Sequence, residues 1–307
     1  MSTRSRRRFD DDDFTPPTST RRRATQPPAP TNEPAIHGVT DDSAPDDIDL
    51  DEPTWSTYPD ATHGPTPLPP WVITSPAAID TDLGVMKTGK EADVSLLRRE
   101  LGGHTTFLAV KRYRDAQHRL FHRDAGYLEG RRMRRSRENR AMATRTDFGR
   151  DLIAGQWAVA EFAVLSRLWS AGAAVPYPVQ LLGTELMMEF IGEIDANGAA
   201  VAAPRLAQLR PEPSEGRALY RQLRSVLLAL AEFGYAHGDL SAYNILVHEG
   251  RLVLIDVPQA MDLVGNPQGF QFLHRDCVNI CSWFVARGVA ADPDELCNEL
   301  LATVPHA

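Results

Sequence analysis

The 307-residue chain has only three cysteines, Cys277, Cys281 and Cys297. That is too few, and too clustered, for a disulfide framework, and a reducing cytoplasm is expected. The CVNIC spacing places Cys277 and Cys281 on one helix face, where burial is expected rather than metal ligation, because no nearby histidine or cysteine completes a four-ligand set. No run approaches the ~20 apolar residues of a membrane span, so no membrane partner is expected. The start, MSTRSRRRFDDDD, lacks the apolar stretch of a secretory signal. Aromatic and branched residues are scarce before residue 70, where 13 of the 23 prolines fall. Residues 1–70 therefore read as a disordered arm carrying blocks of arginine and aspartate, with 7 Arg against 13 acidic residues. With a total charge of −8, the remainder is close to neutral.

What is present, at 42% hydrophobic, suffices for one large core or two lobes. The densest chemistry lies in HGDLSAYNILVHEGRLVLID, residues 237–256. It predicts a polar loop, a short strand, a turn at Glu249-Gly250 and a second strand ending on Asp256. Asp239, Asn244 and Asp256 suit phosphoryl transfer: one carboxylate orients a nucleophile, and an amide oxygen with a second carboxylate holds Mg²⁺. The alternative is a solvated hairpin that merely contains these types.

Upstream, LGVMKTGKEADVSLLRRE predicts two strands, Leu83–Met86 and Val94–Leu97, joined by a polar loop around Gly89 and Lys90. Backbone N–H groups there could cradle phosphates, although one glycine alone is a weak signal. HTTFLAVKRYR reads as a strand whose Lys111 either reaches phosphates or points to solvent. Residues 112–150 hold 12 Arg against 5 acidic residues and no steady period. They are expected to be a loop that contacts anions such as an RNA backbone, or a bland surface segment. A helix is expected over Asp151–Gly172, with Glu161 among apolar neighbours as the natural partner of Lys111. Strands at Val179–Leu182 and Leu186–Ile191 lead to a connector at MMEFIGE. Residues 193–213 read as loop, and helices are expected at Glu215–Tyr235, Arg275–Arg287 and Asp294–Thr303.

Taken in order, TGKEADV, the strand lysine, the helix glutamate, HGDLSAYN, LIDVPQ and LHRDCVNI resemble the RIO family of atypical serine/threonine protein kinases over roughly residues 80–303. The resemblance implies an α+β, two-lobed kinase-like fold: an N-lobe at 71–192 carrying the arginine-rich loop, and a reduced C-lobe at 193–307. It implies ATP with Mg²⁺ (or Mn²⁺) between them. Thr88, Gly89, Lys90, Glu91, Lys111 and Glu161 would serve the phosphates, with the adenine beside Met188–Ile191, including Glu189 and Ile191. Asp239 would be the catalytic aspartate, Asn244 and Asp256 the metal ligands, and Asp256 also the site of an aspartyl-phosphate. The acceptor would be a protein or the chain itself. Three departures stand out: Lys87 where serine is usual, Asp93 for asparagine, and Gly238 for alanine. Gly238-Asp239 keeps open an aminoglycoside-phosphotransferase-like reading, and the arginines keep open a nucleotide-switched factor binding RNA or ribonucleoprotein. Only 307 − 256 = 51 residues follow Asp256, so no activation segment of the ordinary protein-kinase kind is expected.

Overall fold

Strand His104–Tyr113 shows how the sequence builds the first half of the fold. Thr106, Leu108 and Val110 are buried on one face, and Lys111 and Tyr113 are buried on or beside the other, as the two-residue period of a pleated strand requires. The computed structural model describes residues 53–89, 91–114, 147–196, 198–257 and 261–305. Seven strands form one sheet: β1 (Thr54–Trp55), β2 (Thr62–His63), β3 (Ile79–Thr88), β4 (Ala92–Leu101), β5 (His104–Tyr113), β6 (Pro178–Leu182) and β7 (Glu185–Glu189). Their order is β1-β3-β4-β5-β7-β6-β2, with every pairing antiparallel.

One face of this sheet carries a cluster of Tyr58, Leu97, Leu108, Val110, Tyr177, Val179 and Met187, with Trp71 and Val72 packed against it. The expected disordered arm therefore ends earlier than residue 70. Thr54–Trp55 pairs with Asp80 and Ile79, Thr62–His63 pairs with Leu181 and Gln180, and Tyr58 is 6% exposed. Two-residue strands in proline-rich chain leave no period to read; they form because each sheet edge offers unpaired backbone groups. Residues 1–52 lie outside the described residues.

The other face is covered by helix α1 (Asp147–Ser170), which begins four residues earlier than expected. Its Ala158, Phe162, Leu165 and Leu168 join Tyr113 and Leu186 in the main core. Most of the arginine-rich segment, residues 115–146, lies outside the described residues. Of its arginines that are described, Arg112 pairs with Asp82 and Glu185, and Arg114 pairs with Asp93.

The rest of the chain is mainly helical. Residues expected to be loop contain a hairpin of β8 (Gly192–Ile194) and β9 (Ala200–Ala202). Strands of three residues, GEI and AVA, are too short to show a two-residue period, which is why the pattern hides them. Helix α2 (Pro213–Glu232) buries Leu219, Leu223, Val226, Leu227 and Leu230, a helical stripe. Each such side chain contributes about 1.5–3 kcal/mol when fully buried. Two short strands follow, β10 (Tyr235–Ala236) and, paired with it, β13 (Met261–Asp262). Between them β11 (Ile245–His248) and β12 (Arg251–Leu254) form a hairpin whose turn residues Glu249 and Gly250 both have positive φ, 50° and 73°. That is the mirror-image turn that matches strand twist. Helix α3 (Gly269–Val285) starts six residues before the expected Arg275, and α4 (Pro293–Thr303) is capped by the Asp292 carboxylate. Cys277, Cys281 and Cys297 are buried in the core, where burial raises their thiols above the ordinary range. No helix among the described residues is long and apolar enough to cross a membrane.

Candidate active site

A cavity of about 810 Å³ opens between the sheet and the helical part. Its wall on the sheet side includes Lys87 and Gly89 of the first hairpin, then Glu91, Val94, Ala109 and Lys111. Glu161 comes from α1, and Met188 to Ile191 come from the end of β7 and the connector. Asp239 and Asp256 line the opposite side. Of the residues expected at a nucleotide site, Gly89, Glu91, Lys111, Glu161, Glu189, Ile191, Asp239 and Asp256 thus share one cavity. Thr88 is exposed at the end of β3 and is not part of the wall, and Lys90 lies outside the described residues.

Lys111 is the centre of the arrangement. Its Nζ donates to Glu161 at 2.9 Å and to Asp256 Oδ1 at 2.8 Å. These three residues come from β5, α1 and the end of the β11–β12 hairpin, so the contact welds three distant pieces of chain. Burial opposes the Lys111 charge, but the two carboxylates outweigh it and raise the ammonium above its usual range. Burial likewise pushes Asp256 up, and the Lys111 ammonium overrides this, leaving the carboxyl below the usual range. Glu161 is 1% exposed and also accepts from the Tyr113 hydroxyl. Burial, then the Glu161 charge, pushes that phenol well up, so Tyr113 stays a neutral donor.

Asp256 has φ +65°, in the left-handed region that a residue with a Cβ enters at some cost. The backbone there turns out of the strand, and Asp256 joins Lys111 on the cavity wall. Oδ2 has no hydrogen bond among the described residues.

The loop carrying Asp239 is held from behind. Asp276 of α3 accepts the N–H groups of Gly238 at 2.6 Å and Leu240 at 2.9 Å, the Arg275 guanidinium donates to the Gly238 carbonyl, and Asn279 donates to the Leu240 carbonyl at 3.5 Å. Burial raises the Asp276 carboxyl, against the His237 side chain and the two N–H groups. Asp239 is exposed, with its flanking residues pinned. Gly238 sits at φ +84°, where glycine is at ease. Asn244 closes the loop by donating from Nδ2 to the Asp239 carbonyl at 2.9 Å, while its own carbonyl accepts from Ile255, one residue before Asp256. Its side chain is not part of the cavity wall.

Sequence reasoning missed two features. Asp276 acts through backbone groups 36 and 38 residues away, a relation no local pattern shows. Arg205 lines the cavity from within a stretch that reads only as alanine- and proline-rich loop.

The pattern of the RIO domain matches residues 102–296. The chain belongs to the RIO family. This RIO chain is 37% identical over 219 residues to the RIO-type serine/threonine-protein kinase Rio1 of Haloferax volcanii, covering 71% of this chain and 68% of that protein. It is 34% identical over 215 residues to the serine/threonine-protein kinase RIO1 of Chaetomium thermophilum, covering 67% of this chain but 40% of that protein. Among solved structures, it resembles the Rio2 kinase–ADP/Mg²⁺–phosphoaspartate complex from Chaetomium thermophilum, with TM-score 0.54 and 22% identity, over 72% of this chain and 60% of that one. That likeness establishes the RIO kinase fold for this chain.

Proposed function

We propose that this RIO-family chain is a serine/threonine kinase that transfers the γ-phosphoryl group of ATP, in the presence of Mg²⁺, to a hydroxyl of a protein or of the chain itself. The observation that carries this is the Lys111 ammonium held between Glu161 and Asp256 on a cavity that also presents Asp239. The donor set fits the metal: Asp256 Oδ2 and the Asn244 amide oxygen are hard oxygens without hydrogen bonds among the described residues, the chemistry Mg²⁺ selects. Asn244 and Asp256 would hold Mg²⁺, which when bound neutralises phosphate charge.

The chain's own residues do the remainder. Lys111 keeps its charge at any working pH and offers it to phosphate oxygens. Glu161, fixed by Tyr113, keeps Lys111 from swinging away. Met188 to Ile191 supply the apolar and backbone surface for the base. Asp239 orients the acceptor hydroxyl and takes its proton as oxygen bonds to the γ-phosphorus and the bond to the departing diphosphate breaks. Positioning and charge complementarity then account for most of the acceleration.

A second reading makes Asp256 itself the acceptor, with Oδ2 bonding to the γ-phosphorus as the bond to the departing ADP breaks, and water later hydrolysing the acyl phosphate to inorganic phosphate and the free carboxylate. The open Oδ2 on the cavity wall favours it. Incubation with γ-labelled ATP and Mg²⁺, followed by mapping of the label, separates the two. Acid-stable phosphoserine or phosphothreonine supports the kinase, base-labile label on Asp256 supports the cycle, and no label with no ATP consumption overturns both.

A further inference from the structure

Lys87 does not fit the pleat of its strand. Met86 and Lys87 are consecutive, yet both line the cavity, whereas successive residues of a regular strand face opposite sides. The register of β3 against β4 slips twice here, between Asp82 and Val85 and again between Val85 and Lys87. Gly84 at φ +97° begins the irregularity. Bulges of this kind re-aim side chains beside active sites. Across the cavity, Arg205 is locked in place. Its backbone bridges Leu246, its N–H donates to Gln208 Oε1 at 2.7 Å, and its guanidinium donates to the Tyr243 carbonyl. Neither cation forms a salt bridge with a carboxylate among the described residues.

We propose that Lys87 and Arg205 form a cationic clamp across the cavity, closing on the terminal phosphates of the nucleoside triphosphate and making this chain selective for tri- over monophosphates. The clamp rests on the nucleotide reading of the same cavity and deepens it. Two like charges facing one another are unfavourable until a multivalent anion lies between them. Burial chiefly lowers the Lys87 ammonium, the Asp256 carboxylate works against this, and Arg205 and Lys111 add smaller pushes in the same direction as burial. Asp256 is already engaged by Lys111. Serine at this position would supply no such charge. A phosphate chain supplies several acceptor oxygens and the negative charge that both cations lack.

The test is equilibrium binding of ATP and of AMP to the full chain, by calorimetry with Mg²⁺ present, for the wild type, Lys87→Ser, Arg205→Ala and Lys87→Arg. The clamp predicts that Lys87→Ser and Arg205→Ala each weaken ATP roughly tenfold while AMP binding stays within about twofold, since a charge-assisted hydrogen bond contributes on that scale. Lys87→Arg keeps the charge and should retain most of the ATP affinity. Thermal unfolding checks that each variant is folded. Equal weakening of ATP and AMP, or unchanged ATP affinity in both folded charge-removing variants, overturns the clamp and leaves the nucleotide site standing. A wild type that binds neither nucleotide overturns the nucleotide site together with it. Should Arg205→Ala not fold, Arg205→Gln, which also removes the charge, takes its place in the same test.

Discussion

Two cations are buried on opposite faces of one sheet, and they serve different ends. Arg99 of β4 is completely buried, with Nε and one terminal nitrogen each 2.7 Å from the Asp80 carboxylate and the other nitrogen 3.0 Å from Gln180 Oε1 and 3.4 Å from the Ile73 carbonyl. Every partner lies within the sheet or the segment folded over it, so the network is closed. Lys111 of β5 also meets carboxylates at 2.8–2.9 Å, but Asp256 arrives from 145 residues away and its side chain keeps 35% of its exposure. A buried charge with its partners therefore does not by itself mark an active site. The mark is a partner that opens on a cavity, since only then can a ligand compete for the charge.

That contrast can be broken by substitution. Asp256→Ala should reduce phosphoryl transfer at least about a thousandfold, on the scale of losing a transition-state electrostatic contact, while melting stays within a few degrees of wild type. Arg99→Met should do the reverse. It strands Asp80 and Gln180 in the interior, costing about 3–5 kcal/mol, a fall of roughly 10 °C in a domain of this size, with transfer per folded molecule within about threefold. Equal activity losses in the two variants would show that the two cations are not different in kind.

Asp256 and Asp276 sharpen the comparison through pH. Asp256 is held low in the fold, so its stabilising contribution is present above the ordinary carboxylate value, about 3.9, and is lost as pH falls through the folded value. Asp276 is raised, so its contribution is present below that ordinary value and is lost as pH rises through the folded one. Denaturant unfolding between about pH 3 and pH 6 should therefore show opposite slopes. The deficit of Asp256→Ala relative to wild type shrinks toward acid, while that of Asp276→Asn grows. Asp276→Asn should also cost about 1–3 kcal/mol, because the amide leaves one of two backbone N–H groups without an acceptor. The smallest effect belongs to Arg224, whose bond to Glu299 joins α2 to α4 at the surface. Arg224→Ala should change stability by less than about 1 kcal/mol, as exposed ion pairs do.

Much of the site was legible because its residues sit inside local patterns. Lys111 follows a branched strand, Glu161 interrupts an apolar helix face, and Asp239, Asn244 and Asp256 fall within one loop and hairpin. What escaped depends on partners far away in the chain. The edge strands at Thr54–Trp55 and Thr62–His63 exist only because the sheet offers them backbone groups, and Trp55 and Tyr58 are two isolated aromatics in a proline-rich stretch. Alanine-rich Ala200–Ala202 and the cavity residue Arg205 gave no period at all. Asp276 stood in a recognised run, LHRDCVNI, but its task is a pair of backbone contacts, which side-chain patterns do not encode.

The most direct measurement is transfer of labelled γ-phosphate per folded molecule in Asp256→Ala beside Arg99→Met, each compared with wild type at saturating Mg²⁺ and ATP. The account predicts transfer lost with Asp256 and kept without Arg99. Transfer that survives in Asp256→Ala would contradict it.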